Sequence, residues 1–207
     1  MVRALDVDTQ NAIRDRRAVV PRNFVLVTAA KSDGSGTEVF GFTDFGEDIS
    51  TNIIDGRTGA EVNHTFYGDN SPILGIDSIA LKIGLEVVTT QVLLNPLHPA
   101  VELMARGHNL RNAPVQIHRG WLSPESFLLV APPRCRRFGQ VNGAPINTAA
   151  TGGMSRLSLK VVSTTRELTK LNPAMRGHET QVRRGNDQAR KYNGTAYLWQ
   201  SYWGQSR

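Results

Sequence analysis

The sequence predicts a mainly β protein with one or two short helices and a separate C-terminal arm. Three observations carry this. Short runs rich in Val, Ile, Thr and Phe are separated by Gly, Asp, Asn and Pro turn signals. Aromatics are only 7% of the chain while Gly numbers 19, so the core is mainly aliphatic and the turns are many. From Lys170 onward the composition changes abruptly to polar, basic and finally aromatic.

Taken in order, Asp8 suits the N-cap of a short helix running to about Arg17, which Pro21 ends. Asn23 to Ala30 reads as a strand. Lys31 to Gly36 is a turn, because Asp33-Gly34 and Ser35-Gly36 supply the positive φ of a tight reversal. Thr37 to Thr43 is the return strand. Asp55-Gly56 and Thr58-Gly59 mark turns, and Glu61 to Tyr67 alternates like a half-buried strand. Gly68 to Pro72 is another turn. Ile79 to Leu94 is the longest apolar stretch. Its β-branched block Val87 to Thr90 favours extended chain, and we expect two strands, Ile79 to Ile83 and Leu85 to Leu93, bent at Gly84. Pro99 to Arg106 is a helix, with Pro at its first position and Gly107 just past its end. Ala113 to Leu122 and Phe127 to Val130 are strands, the second stopped by Pro132-Pro133. Val141 to Thr151 is loop, and Ser155 to Ser163 a strand with Leu157, Leu159 and Val161 on one face. Two parts follow: a β-rich domain over 1–169 and an arm over 170–207.

Motifs for catalysis or metal binding are not recognised. His64, His98, His108, His118 and His178 lack metal-ligand spacing and read as turn and surface residues, with His118 partly covered. Asp44, Glu47 and Asp48, and the pair Asp69 and Asn70, lack the ladder of a calcium loop and read as solvated turns. Thr148 to Ser155 lacks the Gly-Lys-Ser/Thr end of a phosphate loop. Cys135 is the one cysteine, which excludes an intrachain disulfide. Arg134, Arg136 and Arg137 around it favour thiolate, yet a surface cysteine at a strand end is the expectation. We expect no catalytic residues, metal or cofactor. An apolar leader at Met1 to Asp6 and any run of 18 apolar residues are lacking, so neither signal peptide nor membrane span is expected.

The net charge is +6. From Lys170 to the end, seven Lys and Arg face two acidic residues, so about +5 of it belongs to the arm. Arg183, Arg184, Arg190 and Lys191 precede Tyr197, Trp199, Tyr202 and Trp203. Trp, Tyr and Arg dominate protein interfaces, and these eight residues are the expected partner surface. The same pattern suits single-stranded nucleic acid, by phosphate neutralisation and base stacking. A tail packed on its own body is the third reading.

Several segments in order resemble one family. Gly41-Phe42-Thr43-Asp44 lies in the second strand of the hairpin. The apolar segment Leu81 to Leu94 and the helix-containing segment Pro99 to Ile117 follow, and then Arg119-Gly120-Trp121-Leu122. Arg184 to Arg190, continuing through Trp199 to Trp203-Gly204, resembles the ends of tail-tip proteins. Together they are similar to the hub proteins at the distal end of long-tailed phage tails and of gene-transfer particles. The resemblance implies a tail-tube-like β-barrel or sandwich, made in the host cytoplasm and placed at the distal tail tip of the virion. It implies a ring, a trimer being favoured, that contacts distal tail and tip or spike proteins and has a lumen suited to DNA passage. Some members hold an iron–sulfur centre on a cysteine cluster. With Cys135 alone, this chain is not expected to.

Overall fold

The computed structural model describes residues 5–15, 19–79, 86–169 and 177–192, with single positions at 195, 198 and 204. The chain divides into two compact units, Met1–Leu168 and Thr169–Arg207. The protein is mainly β, with 43% strand and 18% helix among the described residues, and its antiparallel sheet curls into a half-barrel.

The first unit opens with α1 (Val7–Arg14). Its N-cap is Asp6, whose carboxylate accepts from the Asp8 amide at 3.3 Å, so the cap lies two residues before the expected one. Strand β1 (Val20–Lys31) then pairs with β2 (Thr37–Thr43) in the predicted hairpin. Pro21 lies inside β1, opposite Trp121, rather than serving as the stop of the helix. A second hairpin joins β3 (Ile49–Ile54) to β4 (Glu61–Phe66). Beyond it come β5 (Ile73–Ile76), β6 (Thr89–Leu94), α2 (Pro99–Gly107), β7 (His108–Asn109) and β8 (Pro114–Leu122). The unit continues with β9 (Arg134–Gly143), β10 (Ile146–Asn147) and β11 (Arg156–Ser163), and α3 (Thr165–Thr169) runs to its end. The strand order is β2-β1-β8-β9-β11-β6-β5. Neighbours on this path are antiparallel.

Two apolar clusters lie on the two faces of the sheet. Side chains alternate along a strand, and β1 buries both sets. Val25, Val27 and Ala29 join the larger cluster with Phe40, Val115, Leu157, Leu159, Val161 and, from α2, Val101 and Met104. Phe24 and Leu26 join the smaller one, which the β3–β4 hairpin covers with Ile53 and Phe66. Phe24 and Phe66 meet edge to face at 5.1 Å between centroids.

The Gly41–Asp44 segment is built into this layer. A Cβ on Gly41 would sit 2.4 Å from the Thr65 carbonyl, so only glycine lets β4 approach. Phe42 is fully buried. The Thr43 hydroxyl donates to the Asn23 carbonyl at 3.1 Å. Asp44 accepts from the Asn23 amide at 2.7 Å and from Asn23 Nδ2 at 2.8 Å, which closes the start of the hairpin.

Several sequence expectations are corrected. Strands β3 and β5 and the long β9 were not foreseen. The strand expected from Leu85 begins only at Thr89, while residues 80–85, with most of the strand expected before them, lie outside the described residues. Phe127 to Val130 is a turn, not a strand. Phe127 has φ of +55°, its amide donates to Ser123 O at 2.9 Å, and Leu129 makes a lone bridge to Leu122. Val141 belongs to β9 rather than to a loop.

In the second unit, α4 (His178–Gly185) occupies a stretch read as lacking periodicity. Its charges explain it. Glu179 lies in the first turn and Arg183 and Arg184 in the last, each complementing the helix dipole. Asn186 then ends the helix in the left-handed conformation, its amide donating to Val182 O at 2.8 Å. None of the described helices is long and apolar enough to cross a membrane.

Candidate functional site

Four of the eight expected interface residues are described. Arg183 and Arg184 stand exposed on the last turn of α4. Lys191 is exposed, with Nζ 5.7 Å from the ring centroid of Tyr192, and Arg190 is half-buried. Tyr197, Trp199, Tyr202 and Trp203 lie outside the described residues.

His98 and His108, read as turn or surface residues, are covered, and His118, expected to be partly covered, is more deeply buried than that. His118 is fully buried in β8, His98 is nearly so at the start of α2, and the His108 side chain is covered beyond its end. The acidic residues serve the backbone. Asp48 accepts from the Gly68 amide at 2.9 Å and the Asp69 amide at 3.3 Å, and Asp69 faces His98 Nε2 at 3.0 Å. Among the described residues, His, Cys, Asp and Glu nowhere gather in threes as a metal site requires. The Thr148–Ser155 segment is the turn between β10 and β11, with Gly152 at φ +83°.

The densest polar arrangement lies where the β3–β4 turn meets β8 and β9. Gln116 projects from β8, and its amide clamps the turn on both sides. Nε2 donates to Asp55 Oδ2 at 2.9 Å, and Oε1 accepts from the Gly56 amide at 2.7 Å. Asp55 Oδ1 accepts from the Arg57 and Thr58 amides at 2.8 and 2.7 Å. Burial pushes the Asp55 carboxyl up, but the bonds from Gln116, Thr58 and Arg57 outweigh it and hold the pKa at about 2. Gly56 lies against Cys135, where a Cβ would come 2.4 Å from Sγ. Cys135 Sγ donates to Arg137 O at 3.3 Å. Arg137 in turn reaches the Val88 carbonyl at 2.6 Å.

Beside this clamp is an open cleft of about 420 Å³ lined by Leu5, Ile54, Asp55, Arg134, Cys135 and Arg136, among others. Arg134 also faces Asp6 of the α1 cap at 3.6 Å. Cys135 is therefore half-buried against a second layer, not a bare strand-end thiol. Its cross-strand partner His118 donates Nε2–H to Ile54 O at 3.1 Å. Desolvation lowers the His118 pKa to about 4, against the upward pull of the Ile54 bond and of Asp55. A neutral, buried imidazole and a carboxylate already saturated with donors make a structural joint.

Sequence reasoning missed Gln116 and Asp55 because they are 61 residues apart and each looks ordinary locally. Removing the clamp takes one donor from the half-buried Asp55 and the acceptor from the Gly56 amide, at a cost of roughly 1 kcal/mol. Gln116→Ala should therefore lower the urea midpoint. It should also raise the Asp55 pKa, followed by NMR of the carboxyl carbon, because the Gln116 amide that stabilises the carboxylate is gone. An unchanged Asp55 titration would contradict the clamp.

No family model matches the chain, and no curated protein is significantly similar to it.

Proposed function

We propose that this chain is a structural, non-catalytic subunit of a phage tail tip, a hub that assembles into a ring between the tail tube and the distal tip. The observation that carries the reading is the open curled sheet. Among the described residues its strand order ends at β2 and β5, and Tyr67 bonds β2 at Gly41 and Thr43. Open strand edges ask for a partner, and ring closure supplies one from neighbouring copies. The segments that resemble tail hubs support it from a second direction. Gly41–Asp44 ends β2, Pro99–Ile117 spans α2 and enters β8, and Arg119–Leu122 completes β8. These three lie on β2, α2 and β8, at one end of the strand order, while the described part of Leu81–Leu94 includes β6 toward the other. A trimer is the favoured ring, with the arm residues Arg183, Arg184, Arg190, Lys191, Tyr197, Trp199, Tyr202 and Trp203 docking on adjacent tail proteins.

The test is electron microscopy of particles from the source virus carrying an N-terminal label on this chain. The expected label is confined to the distal tail tip. A label absent from particles or spread over the head overturns the proposal. Trp199→Ala/Trp203→Ala should block particle assembly while leaving the thermal unfolding of the first unit nearly unchanged.

The exposed Arg183 and Arg184 on α4 favour one alternative, a small basic β-domain protein that binds nucleic acid. Its affinity for single-stranded DNA would fall steeply with salt, and a flat salt response would exclude it.

A further inference from the structure

Helix α2 is tied down at both ends by histidine side chains, and the two ties demand opposite charge states. At the start, His98 is the N-cap. Its Nδ1 accepts from the Ala100 amide at 3.2 Å, so that nitrogen carries no proton. Its Nε2 lies 3.0 Å from Asp69 Oδ1. A carboxylate only accepts, so Nε2 donates. The two bonds together specify a neutral ring with its proton on Nε2. Phe42 and Tyr67 flank that ring at 6.5 and 6.1 Å between centroids, and His98 is only 4% exposed. The other acids at this end include Asp48, bonded to the Asp69 amide, and Glu102 in the first turn of the helix.

At the far end, His108 Nδ1 lies 3.2 Å from Leu103 O and Nε2 lies 3.1 Å from Glu38 Oε2. Neither a carbonyl nor a carboxylate donates. Satisfying both bonds therefore takes two protons, one on Nδ1 and one held between Nε2 and Glu38. A cation here also suits the negative end of the helix dipole. Phe40 stands edge-on to this ring at 4.9 Å. The neighbouring charges are Lys31, the cross-strand partner of His108, and Arg106, which is paired with Glu102 at 3.4 Å. Between the two ties, Val101 and Met104 fill the larger core.

We propose that α2 is a pH-gated plug of the half-barrel, fully docked only while His98 is neutral and His108 holds its second proton. Acid turns the His98 Nδ1 lone pair into an N–H aimed at the Ala100 N–H, and the first turn is released. Loss of the second proton leaves His108 one N–H for two acceptors, Leu103 O and Glu38, and one of the two bonds that hold the last turn is lost.

The test is NMR on the intact protein. Two-bond proton–nitrogen spectra at neutral pH should show His98 neutral with Nε2 protonated, and His108 with both nitrogens protonated. Exchange protection at Ala100 to Glu102 should fall about fivefold in acid, the ordinary worth of an N-cap. Protection at Ala105 to Gly107 should fall as His108 loses its second proton. His98→Asn retains a cap acceptor that does not titrate, so its first turn should keep its protection in acid. Global acid destabilisation from other groups is common to both proteins and cancels in the difference. Protonated Nδ1 on His98 at neutral pH overturns the proposal, as does a singly protonated His108 beside an ionised Glu38. Equal acid losses in wild type and His98→Asn overturn it too.

Discussion

Gly139→Ala should destabilise the protein by roughly 3 kcal/mol, the upper end of ordinary overpacking, and lower Tm by roughly 10 °C. Gly139 sits buried in β9 where β11 crosses it, opposite Ser163. A Cβ there would lie 2.3 Å from the Val162 carbonyl oxygen and 2.8 Å from Val161 Cγ1. The obstacle is backbone in the middle of a sheet, so no side chain can swing aside. Relief requires parting β9 from β11, which joins the β8 and β6 halves of the sheet. Gly143 in the same strand has nothing within 4 Å of its ideal Cβ, and Gly143→Ala should stay within about 0.5 kcal/mol of wild type. Thermal unfolding of the two variants side by side checks the claim. Equal melting temperatures would refute the close β9–β11 approach.

Acid should weaken the fold well before its carboxylates protonate. His118 is buried and neutral, with a pKa lowered from 6.5 to about 4. Above pH 6.5 neither the folded nor the unfolded chain protonates it, and its contribution is constant. Between 6.5 and 4 the unfolded chain takes up the proton first, so stability falls as pH falls. Below 4 the loss is complete. The shift amounts to about 3 kcal/mol, an appreciable part of a typical domain's stability. Asp55 acts in a separate, lower window. Its pKa is depressed from 3.8 to about 2, so its stabilisation is present above 3.8 and disappears as pH falls through 2. Urea midpoints measured from pH 7 to 3 should show the first loss in wild type. His118→Gln should lack that limb while keeping a donor for Ile54 O. An unchanged limb in the variant would reject His118 as its source.

What could be read in advance divides along physical lines. The β1–β2 hairpin was legible because Asp33-Gly34 and Ser35-Gly36 demand a reversal, and Gly34 does adopt φ of +75°. Helix α2 was legible from Pro99 and Gly107, and the residue before an N1 proline is the cap, which places His98. Strand β9 was not legible because Arg134, Arg136 and Arg137 interrupt its apolar alternation. A register shift opposite Ile117 and His118 breaks its period further. Strand β3 hid behind Ser50, Thr51 and Asn52, whose polarity suggests loop. Their partners lie across the hairpin, with Ser50 on Thr65 at 2.8 Å and Asn52 on Glu61 at 2.9 Å. Phe127 misled in the other direction, since an apolar Phe-Leu-Leu-Val run reads as strand although its first residue turns left-handed. The Gln116–Asp55 clamp and the His108–Glu38 pair are products of topology, joining residues 61 and 70 positions apart. Single-sequence periodicity carries no signal at that range.

The two-faced burial of β1 has a consequence during synthesis. Its long-range partner β8 begins at Pro114, so the hairpin leaves the ribosome with Phe24, Val25, Leu26 and Val27 uncovered on both sides. Elongation at about 5–20 residues per second leaves that bare strand waiting on the order of 5–20 seconds for β8. For that interval the nascent chain shows one apolar edge to every neighbouring nascent chain. Chains made side by side on one polysome thus meet each other before β1 meets β8, and early shielding of β1 would reduce mispairing between them.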